Sequence, residues 1–209
     1  MPELIAGKSV TLGPRVTRVL APNPGFMTGP GTNSYLIGQQ DIAVLDPGPD
    51  NATHVEALLA AAAQLGGHIR WIVLTHTHQD HAPAALSLQQ RTGAPILGQP
   101  PLAGDPAQAT LHVDQILSHG DRLTTPEFTL RALHTPGHVG NHLCYLLEDD
   151  HQLFSGDHLI NGSTVVIVPP SGNMADYIRS LEQLSQETIS SIAPGHGDVI
   201  VNAQALIQY

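Results

Sequence analysis

The sequence predicts an α/β protein, a four-layer αββα sandwich in one domain over residues 1–209. Short β-branched or apolar segments followed by amphipathic helices occur twice, once in each half of the chain. Each sheet has to cover its apolar face, so two sheets that both carry helices are expected to pack face to face. An apolar content of 41% against 12% charged residues excludes a disordered chain.

The first half of the chain predicts strands and helices arranged around one long loop. Strands are expected where β-branched and apolar residues lie between turn residues, at 9–12, 16–20, 34–37 and 42–45. The proline- and glycine-rich stretch 22–31 predicts an irregular loop. Asn51 can cap a helix that keeps a 3.6-residue apolar period up to Gly66. A strand buried on both faces, a second helix and another strand follow at 71–74, 82–91 and 95–97.

The second half repeats this order. Three strands are predicted at 128–133, 142–147 and 152–154. A helix at 175–184 carries its apolar residues on one face, a strand follows at 189–193, and Asn202 begins a last helix.

The charge of the chain disfavours nucleic acid as a partner. The 8 Lys and Arg residues against 18 Asp and Glu give a net charge of −10 with neutral histidine. Lys8 is the only lysine, and the arginines do not cluster. A polyanion therefore finds no basic patch.

Cysteine usage and the amino-terminal residues bear on the compartment. The single cysteine, Cys144, excludes an intramolecular disulfide framework and is expected in the core, within the apolar run 143–147. Neither a signal-peptide pattern nor an apolar run long enough to span a bilayer is present. We therefore expect a soluble, cytoplasmic protein with no membrane partner.

The segment directly after the apolar run 71–74 carries four residues of metal-binding type within six positions. It reads His76-Thr77-His78-Gln79-Asp80-His81. Alternate residues of an extended chain point to one side, so His76 and His78 should share a face. Imidazole and carboxylate ligands fixed at the end of a central strand can hold a metal with little ordering cost.

Three further segments place a potential ligand just after a predicted strand. His138 ends a Thr-Pro-Gly-His turn, Asp157 follows Ser155-Gly156, and His196 lies between two glycines. Strand ends and their loops converge in α/β sheets. Each of these residues alone would more often be an ordinary turn residue than a ligand.

The ordered set His-x-His-x-Asp-His, Pro-Gly-His, Gly-Asp and Gly-His-Gly resembles the metallo-β-lactamase-fold hydrolase superfamily over nearly the whole chain. The resemblance implies two metal ions, each held by its own ligands, and one ligand that bridges them. The first ion would be bound by His76, His78 and His138, the second by Asp80, His81 and His196, and Asp157 would be the bridge. Two zinc ions suit such a site, and iron or manganese also fits the ligand types.

The same resemblance implies a dinuclear metal-dependent hydrolase. A metal-bridging hydroxide would attack the carbonyl of an ester, thioester or lactone. Asp157 and Asp80 are the candidate catalytic residues, and Asp80 could also orient the nucleophile through a hydrogen bond. The expected substrate is a small acyl compound, and the oligomeric state stays open.

The flanking residues resemble one branch of this superfamily, the branch of beta-lactamase-like protein 2. The resemblance lies in the loop 23–36 and in the stretches 162–167 and 176–181. That branch contains single-strand endoribonucleases and thioesterases that release polyketides, so an endoribonuclease is the alternative function. The branch continues into a further helical region beyond the position of Tyr209, and its ribonucleases use that region to form the substrate groove. Whether that helical region is trimmed or absent from the protein, a sequence without it weakens the endoribonuclease alternative. The missing basic patch weakens it again and favours an acyl substrate.

A third hypothesis is a non-catalytic module in which the metal is structural. Structural zinc is usually closed by four ligands, which a set of seven does not resemble.

Several other polar residues have expected places. Asp46 resembles a buried carboxylate that contacts the ligands in this superfamily, with an Asx turn as the plain alternative. His142 resembles a residue beside the site, and a structural hydrogen bond is an equal alternative. For His158 we favour a structural role or a place behind the ligands. The remaining histidines, His54, His68, His112, His119 and His151, are expected on the surface or in loops.

Overall fold

In the part of the chain that the structure describes, seven strands form the first sheet, and their spatial order follows the chain. The computed structural model describes residues 4–105 and 110–207. The strands of this sheet are β1 (Ser9–Gly13), β2 (Val16–Leu20), β3 (Asn33–Ile37), β4 (Asp41–Leu45), β5 (His68–Val73), β6 (Ile96–Gly98) and β7 (Gln115–Ile116). Strands β1 to β4 pair antiparallel, and β4 to β7 pair parallel. Parallel neighbours need a crossover, which the helices α1 (Ala52–Leu65) and α2 (Ala84–Thr92) provide on either side of β5.

Helix α1 begins and ends at the residues that the sequence predicts. The side chain of Asn51 accepts a hydrogen bond from the amide of His54 at 3.0 Å. Gly66 ends the helix in the left-handed conformation, with φ of 76°. Both ends of the helix are therefore satisfied locally.

The cap at Asn51 gives a first prediction. We expect Asn51→Ala to lower the free energy of unfolding by about 1 kcal/mol, because the amide of His54 loses its acceptor. Asn51→Ser retains an acceptor and should stay within a few tenths of a kcal/mol of the unchanged protein. Urea unfolding followed by circular dichroism measures both variants, and equal stability of the two would contradict the capping role.

Five strands of the described residues form the second sheet, in the order β12-β11-β10-β9-β8. They are β8 (Arg122–Thr124), β9 (Thr129–His134), β10 (Leu143–Leu147), β11 (Gln152–Gly156) and β12 (Ser191–Pro194). Only β11 and β12 pair parallel, and the helix between them is α3 (Met174–Leu184). A short helix, α4 (Ala203–Ile207), follows β12.

Three apolar clusters separate the layers. The first cluster contains Val44 and Ile72 of the first sheet with Leu58 of α1 and Leu88 of α2. The second joins the two sheets, for example through Tyr35 of the first and Phe154 of the second, whose ring centroids lie 5.1 Å apart. The third packs the second sheet against α3 and α4. Helix, sheet, sheet and helix layers confirm the predicted αββα sandwich.

The predicted elements are all present within a few residues of their expected bounds, and the sequence missed only the short strands β7 and β8. Both residues of β7 are exposed, and β8 has three residues. Such segments carry no apolar period to detect. Cys144 lies fully buried in β10, as predicted. None of the helices in the described residues is long and apolar enough to cross a membrane.

The expectation that His54 lies on the surface is wrong. His54 is 1% exposed, and its Nε2 lies 2.8 Å from Oγ of Ser34. The Ser34 hydroxyl donates to the carbonyl of Asp46 at 2.6 Å, so Nε2 of His54 is the donor to Ser34. Burial lowers the pKa of His54 to about 4. His54 precedes Leu58 by four positions and thus lies on the buried face of α1, a spacing that could have predicted its burial.

Candidate metal site

The segment after β5 folds into a turn that gathers three histidines. The carbonyl of His78 accepts hydrogen bonds from the amides of His81 at 3.0 Å and Ala82 at 3.1 Å. The ring centroid of His76 lies 4.6 Å from that of His78 and 4.2 Å from that of His81. His76 and His78 lie side by side after the strand, in a stretch without regular secondary structure, and the turn itself begins at Gln79.

The other candidate ligands lie on three further turns at the same edge of the two sheets. His138, Asp157 and His196 follow the ends of β9, β11 and β12. The amide of Gly195 donates to the carbonyl of Gly156 at 2.8 Å, which ties two of these turns together. The seven candidate residues therefore meet because four strand ends meet.

The seven side chains fall into two groups that could each hold a metal ion. One group is His76, His78 and His138, and the other is Asp80, His81, Asp157 and His196. Within each group, one potential ligand atom per residue lies within 4.8 Å of the others. Asp157 faces both groups, since its Oδ1 lies 3.3 Å from Nε2 of His81 and its Oδ2 lies 3.7 Å from Nε2 of His138.

Backbone carbonyls orient two of the imidazole rings. Nδ1 of His138 donates to the carbonyl of Val166 at 2.5 Å, and Nδ1 of His196 donates to the carbonyl of Gly31 at 3.1 Å. A carbonyl oxygen can only accept, so Nδ1 carries the hydrogen in both rings. In the neutral ring, the unprotonated Nε2 then points into the cluster, as a metal ligand requires.

The carboxylate of Asp46 orients two more rings. Its Oδ2 accepts from Nδ1 of His81 at 2.9 Å and from the hydroxyl of Thr75 at 2.6 Å, while its Oδ1 accepts from the amide of Thr75 at 2.8 Å. The hydroxyl hydrogen of Thr75 is used by Asp46, so Oγ1 of Thr75 accepts from Nδ1 of His76 at 2.9 Å. Nε2 of His76 and, in the neutral ring, Nε2 of His81 are thus free to bind a metal. The expected contact of Asp46 with the ligands is present.

The inward-facing atoms need positive charge between them. Nδ1 of His78 lies 3.1 Å from Nε2 of His76 and 3.0 Å from Nε2 of His138. In the neutral rings of His76 and His138, Nε2 carries no hydrogen, and Nδ1 of His78 can donate one at most. At least one of these contacts then joins two lone pairs. Burial lowers the pKa of His76 and of His78, so protonation of these two rings is an unfavourable way to relieve the repulsion. A cation bound by the imidazole nitrogens removes the repulsion, so the residues present fit a metal ion.

The second group carries two carboxylates and takes up protons when no cation is bound. Burial lowers the pKa of His196, but hydrogen bonds to Asp157 and Asp80 outweigh burial and raise it to about 9. Burial also opposes the charged form of His81, and the nearby charges of Asp157 and Asp80 raise its pKa nonetheless. A divalent cation would supply the same positive charge, so metal binding should release protons here.

Two more buried histidines lie behind the ligands. Nε2 of His142 accepts from the amide of Asp157 at 3.3 Å, and its Nδ1 lies 3.0 Å from Oγ1 of Thr135. The ring of His158 lies 5.8 Å from that of His142 and 4.7 Å from that of Tyr177, and neither of its nitrogens has a hydrogen-bond partner among the described residues. Burial lowers the pKa of His158 to about 3, so its ring stays neutral and packs.

A cavity of about 380 Å³ opens over the cluster. Its floor is formed by His78, Asp80, His138 and Asp157, and its walls are formed by Phe26, Met27, Ile160, Ser163, Thr164 and Val166. The wall residues come from the loop between β2 and β3 and from the segment that follows β11. Which side chains of these loops reach the cavity depends on the fold, and no local pattern predicts it.

The sequence model of the metallo-beta-lactamase superfamily matches residues 27–203 of the chain. An atrochrysone carboxyl ACP thioesterase from Aspergillus fumigatus is 32% identical over 203 residues, which is 94% of this chain and 60% of the relative. A beta-lactamase-like protein 2 homolog from Caenorhabditis elegans is 32% identical over 195 residues, 90% of this chain and 63% of the relative. The chain thus spans about 60% of the length of these two curated relatives.

Solved structures share the fold. The protein TTHA1623, solved in a di-iron-bound form, superimposes with a TM-score of 0.66 at 27% identity. The match covers 94% of this chain and 96% of that one.

Proposed function

The chain belongs to the metallo-beta-lactamase superfamily, and on that premise we propose that it is a dinuclear metal-dependent hydrolase of an ester, thioester or lactone. One observation carries the proposal: oriented imidazole nitrogens and two carboxylates converge on the floor of an open cavity. A structural metal is usually closed off by four ligands, whereas this cluster faces a space that a substrate can enter.

The proposed ligands follow the two groups of side chains. One ion would be held by His76, His78 and His138, the other by Asp80, His81 and His196, with Asp157 between them. The bridging role of Asp157 is supported by its two oxygens, which face different groups. We propose zinc as the metal because mixed imidazole and carboxylate ligands suit it. Iron is the main competitor, since these ligand types also suit iron and TTHA1623 was solved with two irons.

Two divalent ions, when bound, would lower the pKa of a water and polarise a substrate carbonyl. The carboxylate of Asp80 is 29% exposed, with Oδ2 3.2 Å from Nε2 of His196. It can therefore accept a hydrogen bond from a water in the cavity and orient that water toward the carbonyl carbon. Asp157 is 12% exposed and keeps its negative charge fixed between the two groups.

The surroundings of the cavity support an acyl substrate over RNA. Apart from the candidate ligands on its floor, none of the described residues that line the cavity is charged. RNA-binding sites depend on Lys and Arg contacts to phosphates, and the chain carries a net charge of −10. The atrochrysone carboxyl ACP thioesterase is a relative whose name describes the release of an acyl group from a carrier.

The proposal is tested by metal content and turnover in the same sample. Protein loaded separately with zinc, iron or manganese is assayed by elemental analysis and with a panel of carboxyl esters, thioesters and lactones. We expect two ions per chain and turnover that chelation abolishes. His76→Ala is the matched variant and should lose both one ion and the turnover.

Three outcomes would contradict the proposal. Two bound ions without turnover of any acyl substrate would favour a structural metal site. Cleavage of a labelled single-stranded RNA, lost in His76→Ala, would favour the endoribonuclease alternative. Turnover that is unchanged in His76→Ala would place the chemistry elsewhere.

A further inference from the structure

Two segments form the walls of the cavity above the candidate metal site, and both present apolar side chains. The first, residues 22–32, is called the tip loop and carries Phe26 and Met27. The second, residues 160–168, is called the strap and contributes Ile160 and Val166. Phe26 is fully exposed and Met27 is 58% exposed, so both have apolar surface that nothing in the described chain covers.

The tip loop is braced by its own hydrogen bonds. Oδ1 of Asn23 accepts from the amide of Thr32 at 2.9 Å, and its Nδ2 donates to Oγ1 of Thr32 at the same distance. The hydroxyl of Thr28 donates to the carbonyl of Asn23 at 2.6 Å, and the amide of Gly25 donates to the carbonyl of Gly29 at 3.0 Å. The exposed position of Phe26 is therefore set by a hydrogen-bonded loop.

Each wall is also joined to one candidate ligand, and the two ligands belong to different groups. The tip loop accepts Nδ1–H of His196 at the carbonyl of Gly31, and the strap accepts Nδ1–H of His138 at the carbonyl of Val166. The amide of Asn33, at the base of the tip loop, donates to the carbonyl of Gly195 at 2.8 Å. The apolar walls thus keep a fixed position relative to both halves of the cluster.

We propose that the tip loop and the strap together form a subsite for an uncharged, apolar acyl chain of the substrate. This inference rests on the proposed hydrolase function, because the acyl carbonyl must lie over the cluster while the chain lies between the walls. One cavity can hold both parts of the substrate, because the candidate ligands and the wall residues line the same space. At about 30 Å³ per non-hydrogen atom, the volume of a water in the liquid, a cavity of 380 Å³ holds roughly a dozen such atoms, enough for a six-carbon acyl ester.

The lining selects against a charged chain end. Beside Phe26, Met27, Ile160 and Val166, the walls offer only the hydroxyls of Ser163 and Thr164. A terminal carboxylate would lose hydration there without gaining a cationic partner. An alkyl chain instead buries its own surface together with that of Phe26.

The experiment compares thioesters that share a leaving group and differ in the acyl chain: acetyl, hexanoyl and adipoyl. We expect kcat/KM for hexanoyl to exceed that for acetyl and for adipoyl by about tenfold. Phe26→Ala should lower the hexanoyl value about tenfold and leave the acetyl value within twofold. Because Phe26 is fully exposed, this substitution removes no packing from the fold. Ile116→Ala, at a 60% exposed residue of β7 that does not line the cavity, is the matched control and should change neither value.

A binding measurement separates this inference from the proposed function. Calorimetric titration with hexanoate and acetate should show tighter binding of hexanoate to the unchanged protein and a loss of that difference in Phe26→Ala. If no thioester is hydrolysed but the difference in binding is present, the proposed function fails and the subsite stands. If all three thioesters are hydrolysed at similar rates, or Phe26→Ala affects acetyl and hexanoyl equally, the subsite is wrong while the hydrolase proposal stands.

Discussion

Asp157→Ala should reduce the metal content from two ions to one and lower kcat by at least about a hundredfold. Residues that only support a metal ligand already change affinity or activity by about 10–100-fold when they are replaced, and a bridging ligand should cost more. The carboxylate of Asp157 has one oxygen near each set of histidines. Without it, Nε2 of His81 and Nε2 of His196, 3.3 Å apart, lose a negative charge that favours a cation between them.

Elemental analysis after dialysis measures the metal content, and the acyl substrate panel measures kcat. Asp50→Ala is a suitable control, because it removes one exposed carboxylate without contact to the cluster. Two ions per chain in Asp157→Ala would show that the bridging role is wrong. Loss of an ion in both variants would point to overall charge as the cause and away from a bridge.

The seven candidate ligands named from the sequence lie close together in the fold, and for four of them the reason is local. Four of the seven candidate ligands lie within His76–His81, so chain connectivity alone keeps them near one another. His138, Asp157 and His196 each follow a strand, and the ends of strands converge in this class of fold. For these three residues the local pattern gave only a turn, and the resemblance to a known superfamily supplied the role.

The groups that orient the ligands could not be predicted in the same way. His138 and His196 donate to the backbone carbonyls of Val166 and Gly31. Every residue type has the same backbone carbonyl, so the sequence does not mark these two acceptors. Which carbonyl lies opposite a ring depends on how two distant loops fold over the site. Thr75 is different, because it precedes His76 directly and a hydroxyl beside a ligand could have been considered from the sequence.

The burial of side chains was also predicted correctly at one position and wrongly at another. The core position of Cys144 followed from the apolar run around it, and the structure confirms it. His54 was assigned to the surface from its residue type, although its spacing to Leu58 placed it on the inner face of α1. The hydrogen bond from His54 to Ser34 offsets part of the cost of burying the ring. Ser34 lies on β3, 20 residues earlier in the chain, so the sequence near His54 does not reveal it.

The close approach of the turns at the cluster gives the second large prediction, at Gly195. A Cβ atom on Gly195 would lie 2.7 Å from Oδ1 of Asp157 and 2.8 Å from Cε1 of His81. Contacts shorter than 3.0 Å are essentially never seen for real Cβ atoms, so one of the partners has to move. The backbone of Gly195 cannot easily yield, because its amide donates to Gly156 and its carbonyl accepts from Asn33, both at 2.8 Å.

We therefore expect Gly195→Ala to displace Asp157 and His81 and to lose the ion of the second group. Metal content should fall to one ion or fewer, and kcat should fall at least about tenfold, the lower end of the cost of disturbing the support of a metal site. Gly13→Ala is the matched control, because a Cβ at that position meets nothing within 4 Å. Since φ of Gly195 lies outside the left-handed region, the effect on the cluster is steric and backbone strain does not contribute. Full retention of two ions and of kcat in Gly195→Ala would mean that Asp157 and His81 can shift without cost, which would contradict a rigid dinuclear site.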